Sequence, residues 1–258
     1  MSMPSPDLLQ VRGLMHAIAG SVLLRELALD VAAGELVGVI GPNGAGKSTL
    51  LRCLAGLELP QHGTILLDAT ALSQLGLEQR ARRIAWLEQR PQLHWPLRVE
   101  QVVALGRLPW RDQPQAQPDA TVVQHTLERC GLLHLRSREF PALSEGEKLL
   151  VNLARVLAVE ARLILADEPT AALDPRQQLR VMALLQAEAR SGKAVLAVLH
   201  DLTLAARYCD RLVLLHQGTV VASGAPGVVL TAQHLARVYG VHATYDPSLS
   251  TVIIHAQI

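Results

Sequence analysis

At 258 residues, half of them apolar, the chain has the length of one large or two small domains and enough hydrophobic material for a sizeable core. Its 24 Lys and Arg nearly cancel 23 Asp and Glu, so it has neither the basic footprint of a nucleic-acid binder nor an acidic tail. Cys53, Cys130 and Cys209 are scattered without CxxC spacing, which argues for free thiols rather than a disulfide framework or a zinc site.

The opening MSMPSPDLLQVRG has no basic start followed by an apolar core, so no signal peptide is expected. No uncharged apolar run reaches 18 residues, so no ordinary transmembrane helix is expected either. The reading is a soluble protein that meets a membrane only through a partner.

Short strands joined by glycine turns fill the first third. LALDV (Leu27 to Val31) and ELVGVI (Glu35 to Ile40) flank Ala32-Ala33-Gly34, and GTILLD (Gly63 to Asp68) follows a turn at Gln61-His62. Between them KSTLLRCLAGL places Leu50, Leu51, Leu54 and Leu57 on one helical face. From about Val99 to Leu157 the pattern is mostly helical, broken by RDQPQAQPD, whose composition suits an exposed loop. RLILAD and AVLAVL are continuous apolar runs, the mark of buried parallel strands. The helix between them is punctuated by Asp174 as cap, Pro175 in the first turn and Gly192 at its end. DRLVLLHQGTVVASG reads as a hairpin. The fold class expected is α/β with a helical insertion.

Chemistry concentrates at strand ends. Gly41-Pro42-Asn43-Gly44-Ala45-Gly46-Lys47-Ser48-Thr49 satisfies G-x4-G-K-[ST] between a predicted strand and a predicted helix, the context this nucleoside-triphosphate motif requires. Its glycines let backbone N–H groups curl around phosphate oxygens at a helix N-terminus. Lys47 then reaches the β- and γ-phosphates, the Ser48 hydroxyl ligates Mg²⁺, and Thr49 bonds the α-phosphate. Asp167 ends the RLILAD strand and is placed to hold Mg²⁺ through water, while Glu168 polarises the attacking water. His200 follows AVLAVL on the same edge and can reach the γ-phosphate. The other nine histidines are expected to be ordinary core or surface residues.

These motifs resemble the nucleotide-binding subunit of an ATP-binding cassette (ABC) transporter over nearly the whole chain. In family order stand the phosphate loop, Gln89 in IAWLEQRPQ, LSEGE, Asp167-Glu168, AALD ending in Asp174, and His200. The resemblance implies a P-loop NTPase (RecA-like) core with an antiparallel β subdomain and an inserted helical subdomain. The corresponding division is about 1–98 with 158–225 for the core, about 99–157 for the helical arm, and 226–258 for a C-terminal extension. It further implies a head-to-tail homodimer of cassettes binding ATP and Mg²⁺. Gln89 contacts Mg²⁺ and water and reports to integral-membrane permease subunits. Ser144 and Gly146 hold the γ-phosphate of the opposite site, and Asp174 acts across the interface.

Three departures stand out. The usual signature is Leu-Ser-Gly-Gly-Gln, yet here Glu145 replaces the first glycine and Glu147 the glutamine. Two charges about 4 Å apart interact by roughly 4 kcal/mol at intermediate dielectric and about 1 in water. A working clamp is therefore expected if Glu145 faces solvent or pairs with Lys148. No aromatic residue precedes Trp86, so the family's adenine-stacking position falls on Ile18, with His16 nearby as an imidazole platform. That forfeits part of a stacking contribution of order 1 kcal/mol. Glu88 stands where the family often has proline.

Finer phrases, RRIAWLEQRPQ, VEQVVALGRLPW, LHDLTLAARYCDRLVLLHQGTVVASG and VLTAQHLARVYGV, resemble ATPases of importers for iron–siderophore, haem and cobalamin. This implies placement on the cytoplasmic face of the inner membrane, with a substrate-binding protein as an indirect partner and no nucleic acid. Trp86, Trp95 and Trp110 are candidates for the permease-docking surface or for core anchors. Cassette ATPases of DNA repair or the ribosome carry coiled coils, tandem cassettes or basic arms, none of which this sequence shows. A small-molecule kinase would leave LSEGE, Asp174 and His200 without a role.

Overall fold

The computed structural model describes residues 7–89, 95–113, 119–171 and 173–258. Strand β1 (Asp7–Ile18) pairs antiparallel with β2 (Ser21–Ala32). Both are longer than the sequence pattern suggests, and β1 is not legible there at all. Gly13 at φ +60° and register shifts at Val11/Leu14 and Leu14/His16 break its alternation. After a tight turn, β3 (Leu36–Ile40) runs fully buried into the phosphate loop and helix α1 (Lys47–Leu54). Helix α1 stops before Leu57 because Gly56 takes a left-handed φ of +70°, leaving Leu57 exposed instead of on the apolar face. Strands β4 (His62–Leu67) and β5 (Thr70–Ala71) complete an antiparallel sheet in the order β2-β1-β4-β5.

Helix α2 (Leu77–Arg83) leads into β6 (Ile84–Leu87), followed by α3 (Val99–Ala104), α4 (Asp119–Arg129) and α5 (Glu145–Leu157). The loop expected at RDQPQAQPD falls largely on 114–118, outside the described residues. Strand β7 (Leu163–Asp167), helix α6 (Pro175–Arg190), strand β8 (Ala194–Val198) and helix α7 (Leu202–Tyr208) restore the α/β alternation. Asp174 caps α6 by accepting from the Gln177 backbone N–H at 2.9 Å. Strands β9 (Arg211–His216) and β10 (Thr219–Gly224) form the expected hairpin. Helices α8 (Pro226–Val229) and α9 (Ala232–Tyr239) and the hairpin of β11 (Val241–Asp246) and β12 (Thr251–Gln257) end the chain.

The central sheet has the order β10-β9-β3-β8-β7-β6, and β9, β3, β8, β7 and β6 are parallel neighbours. Every residue of β3, β7 and β8 is buried, as helices on one face and the antiparallel sheet together with α1 on the other require. This is the expected fold class. Parallel strands bring all their carboxyl ends to one edge, where open α/β sheets hold ligands. The three cysteines are buried and free. Trp110 is an anchor, donating from Nε1 to the Val159 carbonyl at 2.8 Å with Arg82 and Arg107 over its ring. Trp86 packs against the core, whereas Trp95 is exposed. Among the described residues no helix is long and apolar enough to cross a membrane.

Candidate functional site

The phosphate loop leaves β3 at Gly41, whose φ is +150° and where an added Cβ would meet the Leu215 carbonyl oxygen at 2.1 Å. The Ala45 N–H donates to the Pro42 carbonyl at 3.2 Å, closing the turn around exposed Asn43 and Gly44, and Gly44 faces open space. Helix α1 starts at Gly46 with no capping side chain and no acid in its first turn. By contrast α5, α6, α7 and α9 are capped by Ser144, Asp174, Asp201 and Thr231. The first-turn amides of α1 are thus left to an anion, favoured there by the helix dipole.

Lys47 is buried and donates from Nζ to the carbonyls of Gly41 and Pro42 at 2.8 and 2.9 Å. Burial lowers its pKa, opposed by the charges of Glu168 and Asp167. The Ser48 hydroxyl donates to Asp167 Oδ1 at 3.1 Å, joining the helix start to the end of β7. Asp167 is 3% exposed, and burial raises its pKa against the Ser48 hydrogen bond. Two hard oxygen donors at this spacing on the anion-binding edge fit Mg²⁺, which takes few protein ligands beside substrate phosphates. Thr49 follows, half-buried in the first turn.

Glu168 is the focus of the site. Its φ of +50° is rare for a residue with a side chain and costs of order 1 kcal/mol. Its two carboxylate oxygens meet different strand ends: Gln89 Nε2 donates to Oε2 at 2.5 Å, and His200 Nε2 lies 2.6 Å from Oε1. Gln89 follows β6 and His200 follows β8, the two neighbours of β7. Burial pushes the Glu168 pKa up, but the hydrogen bonds from His200 and Gln89 outweigh it and hold the carboxyl below its ordinary value.

Ser144, Gly146 and Asp174 form a second cluster. Ser144 caps α5 in a reciprocal box: its Oγ accepts from the Glu147 N–H at 3.3 Å, and Glu147 Oε2 accepts from the Ser144 N–H at 2.8 Å. Glu147, the replacement for glutamine, therefore fastens the helix start, and these bonds hold its pKa low. Glu145 is 85% exposed and pairs with Lys148 Nζ at 2.8 Å, so both conditions for a working clamp hold. Gln177 was not singled out from sequence. Its amide fills the space a Cβ on Gly146 would need, with Oε1 at 2.1 Å, while its backbone binds Asp174. Only its place three residues after a capping Asp hints at this role.

Ile18 is 47% exposed at the tip of β1. His16 is 6% exposed, which overturns its reading as an imidazole platform: β1 turns that side chain inward. Tyr239 was also missed. It packs from the end of α9 on the core cluster that includes Ile40, and burial raises the pKa of its hydroxyl. The C-terminal segment thus packs on the same core as the strand that leads into the phosphate loop.

Comparison with known proteins agrees with this geometry. The family described as ABC transporter matches residues 24–171. The hemin import ATP-binding protein HmuV of Bordetella pertussis (strain Tohama I) is 43% identical over 246 residues, covering 91% of this chain and 93% of that protein. The structure of cbiO1 from Clostridium perfringens, part of the ABC transporter complex cbiONQ, is 30% identical with a TM-score of 0.77, covering 90% and 93%. The dimeric post-hydrolysis structure of the ATP-binding cassette MJ0796 with ADP and Pi is 25% identical with a TM-score of 0.75, covering 84% and 98%. On these likenesses and its motif order, the chain belongs to the ABC transporter family, as an ATPase subunit coupled to transport.

Proposed function

We propose that this cassette hydrolyses Mg-ATP to drive haem import through a separate integral-membrane permease, working as a homodimer on the cytoplasmic face of the membrane. The observation that carries the ATPase reading is the grip on Glu168 from two neighbouring strand ends. The choice of haem among iron chelates and cobalamin rests on the relatives named for hemin import.

Mg²⁺ would supply neutralisation of phosphate charge, and Ser48 and Asp167, with Gln89, are the residues that would hold it. Lys47 exchanges its two loop carbonyls for phosphate oxygens, and the α1 amides bind the phosphate chain. Glu168, kept ionised by its partners, orients water and accepts its proton, and His200 holds that carboxylate in place. Ser144 and Gly146 of the partner cassette close the site, with Asp174 at the interface. Exposed Ile18 gives the base an apolar contact without aromatic stacking. The arm, about 99–157, and the Gln89 loop receive the permease, and 226–258 is a C-terminal extension of the core at 1–98 and 158–225. A binding protein delivers the ligand to the permease, and no nucleic acid takes part.

The test is reconstitution with its permease in proteoliposomes. ATP-dependent haem uptake, lost in Glu168→Gln, is the expected result. Uptake of a ferric siderophore or cobalamin without haem would overturn the substrate assignment and leave the ATPase reading standing.

A further inference from the structure

Away from the nucleotide edge, one buried cluster has no part in ATP hydrolysis. His16 on β1 has both ring nitrogens buried without a hydrogen-bond partner. Cys53 on α1 is fully buried with a free thiol. Glu58 follows in the turn after α1, and its Oε2 is likewise buried without a hydrogen-bond partner. One donor atom from each residue lies within 4.8 Å of the other two. Among the described residues this is the single group of His, Cys, Asp and Glu side chains so arranged.

A simple ion pair explains this poorly. His16 Nε2 lies 3.0 Å from Glu58 Oε2, close enough for a salt bridge, yet the directions do not make a hydrogen bond. The direction matters more here, because a buried polar atom without a partner is costly whatever its distance. A cation shared between the lone pairs satisfies both atoms at once. Imidazole nitrogen, thiolate sulfur and carboxylate oxygen are the donor types zinc takes, and three protein ligands leave one position open. Cys53 and Glu58 also line a cavity of about 140 Å³, roomy enough for a small fourth ligand. Arg52 engages the other oxygen of Glu58 at 3.5 Å, leaving Oε2 for the cluster. Arg80 on the cavity wall favours an anion, hydroxide or chloride, in the fourth position.

We propose that His16, Cys53 and Glu58 bind one divalent cation of the zinc class. Cys53 binds as the thiolate, its proton passing to solvent, so thiolate and carboxylate balance the dication. Cysteine spacing does not reveal such a site, because His16 on β1 is distant in sequence from Cys53 and Glu58 at and just after the end of α1. The bound ion fastens β1, two residues before Ile18, to the helix whose first turn carries Lys47 and Ser48. The proposal does not rest on the ATPase reading.

The test uses the full chain, stripped with a chelator and titrated with Co²⁺ as a spectroscopic substitute for Zn²⁺. The expected result is a thiolate-to-cobalt charge-transfer band with tetrahedral visible bands, saturating at one equivalent and bleached by Zn²⁺. Cys53→Ser abolishes the charge-transfer band, and Glu58→Gln weakens affinity at least about 10-fold. Glu168→Gln retains the full spectrum. Circular dichroism confirms that each variant is folded, and Cys53→Ser, the least disruptive change, decides if Glu58→Gln is not. Absence of the band in the parent protein, or its survival in Cys53→Ser, would overturn the site.

Discussion

His200 Nε2 stands 2.6 Å from Glu168 Oε1, joining residues that end adjacent parallel strands. The contact gives a pH prediction with a definite sign. The native carboxyl titrates below the ordinary glutamate value. Its contribution to stability is therefore present above that ordinary value and lost as pH falls through the depressed native one. Denaturant titrations of the parent and Glu168→Gln should differ at neutral pH and converge on acidification. His200→Ala removes one of the groups opposing burial, beside Gln89 and Lys47, so convergence should begin at higher pH.

Glu145→Gly should change little. The carboxylate is exposed and paired with Lys148, and such pairs are worth about 0–1 kcal/mol. In a Glu168→Gln background, light scattering should give an ATP-dependent dimer midpoint shifted by less than about 5-fold. A larger shift would mean that Glu145 meets phosphate in the closed state.

Ser144→Ala removes the cap of α5 and breaks its reciprocal bond with Glu147. The expected loss is about 1 kcal/mol of stability, read by urea unfolding. A further effect on ATP-dependent dimerisation, beyond that loss, is the signature of a phosphate contact.

Gly41→Ala places a methyl group against a backbone carbonyl that cannot swing away. The substitution should cost about 1–3 kcal/mol or more, and ATP affinity should fall with it. Gly146→Ala meets only the end of the Gln177 side chain, so Gln177→Ala should restore its stability. Thermal unfolding of the four proteins checks both statements.

The nucleotide edge was legible because each motif is local: a glycine run between strand and helix, or a polar residue ending an apolar run. The parallel core strands were legible for the same reason, their burial on both faces leaving no alternation to misread. What joins them was not. Gln89 and Glu168 lie 79 residues apart, and only the strand order makes them partners. Strand β1 was hidden by Gly13 and its register shifts, and its inward turn of His16 was hidden with it. Gln177 carries no local pattern, since its role comes from packing against Gly146, and the place of Tyr239 shows only once α9 packs on the core.

The most direct test of the central claim is Glu168→Gln, with ATP affinity and phosphate release measured on the same preparation. Steady-state phosphate release should fall about 10²–10⁴-fold while Mg-ATP binding is kept. Retained turnover in this variant would contradict the account, because the carboxylate held between Gln89 and His200 would then not be the group that activates water.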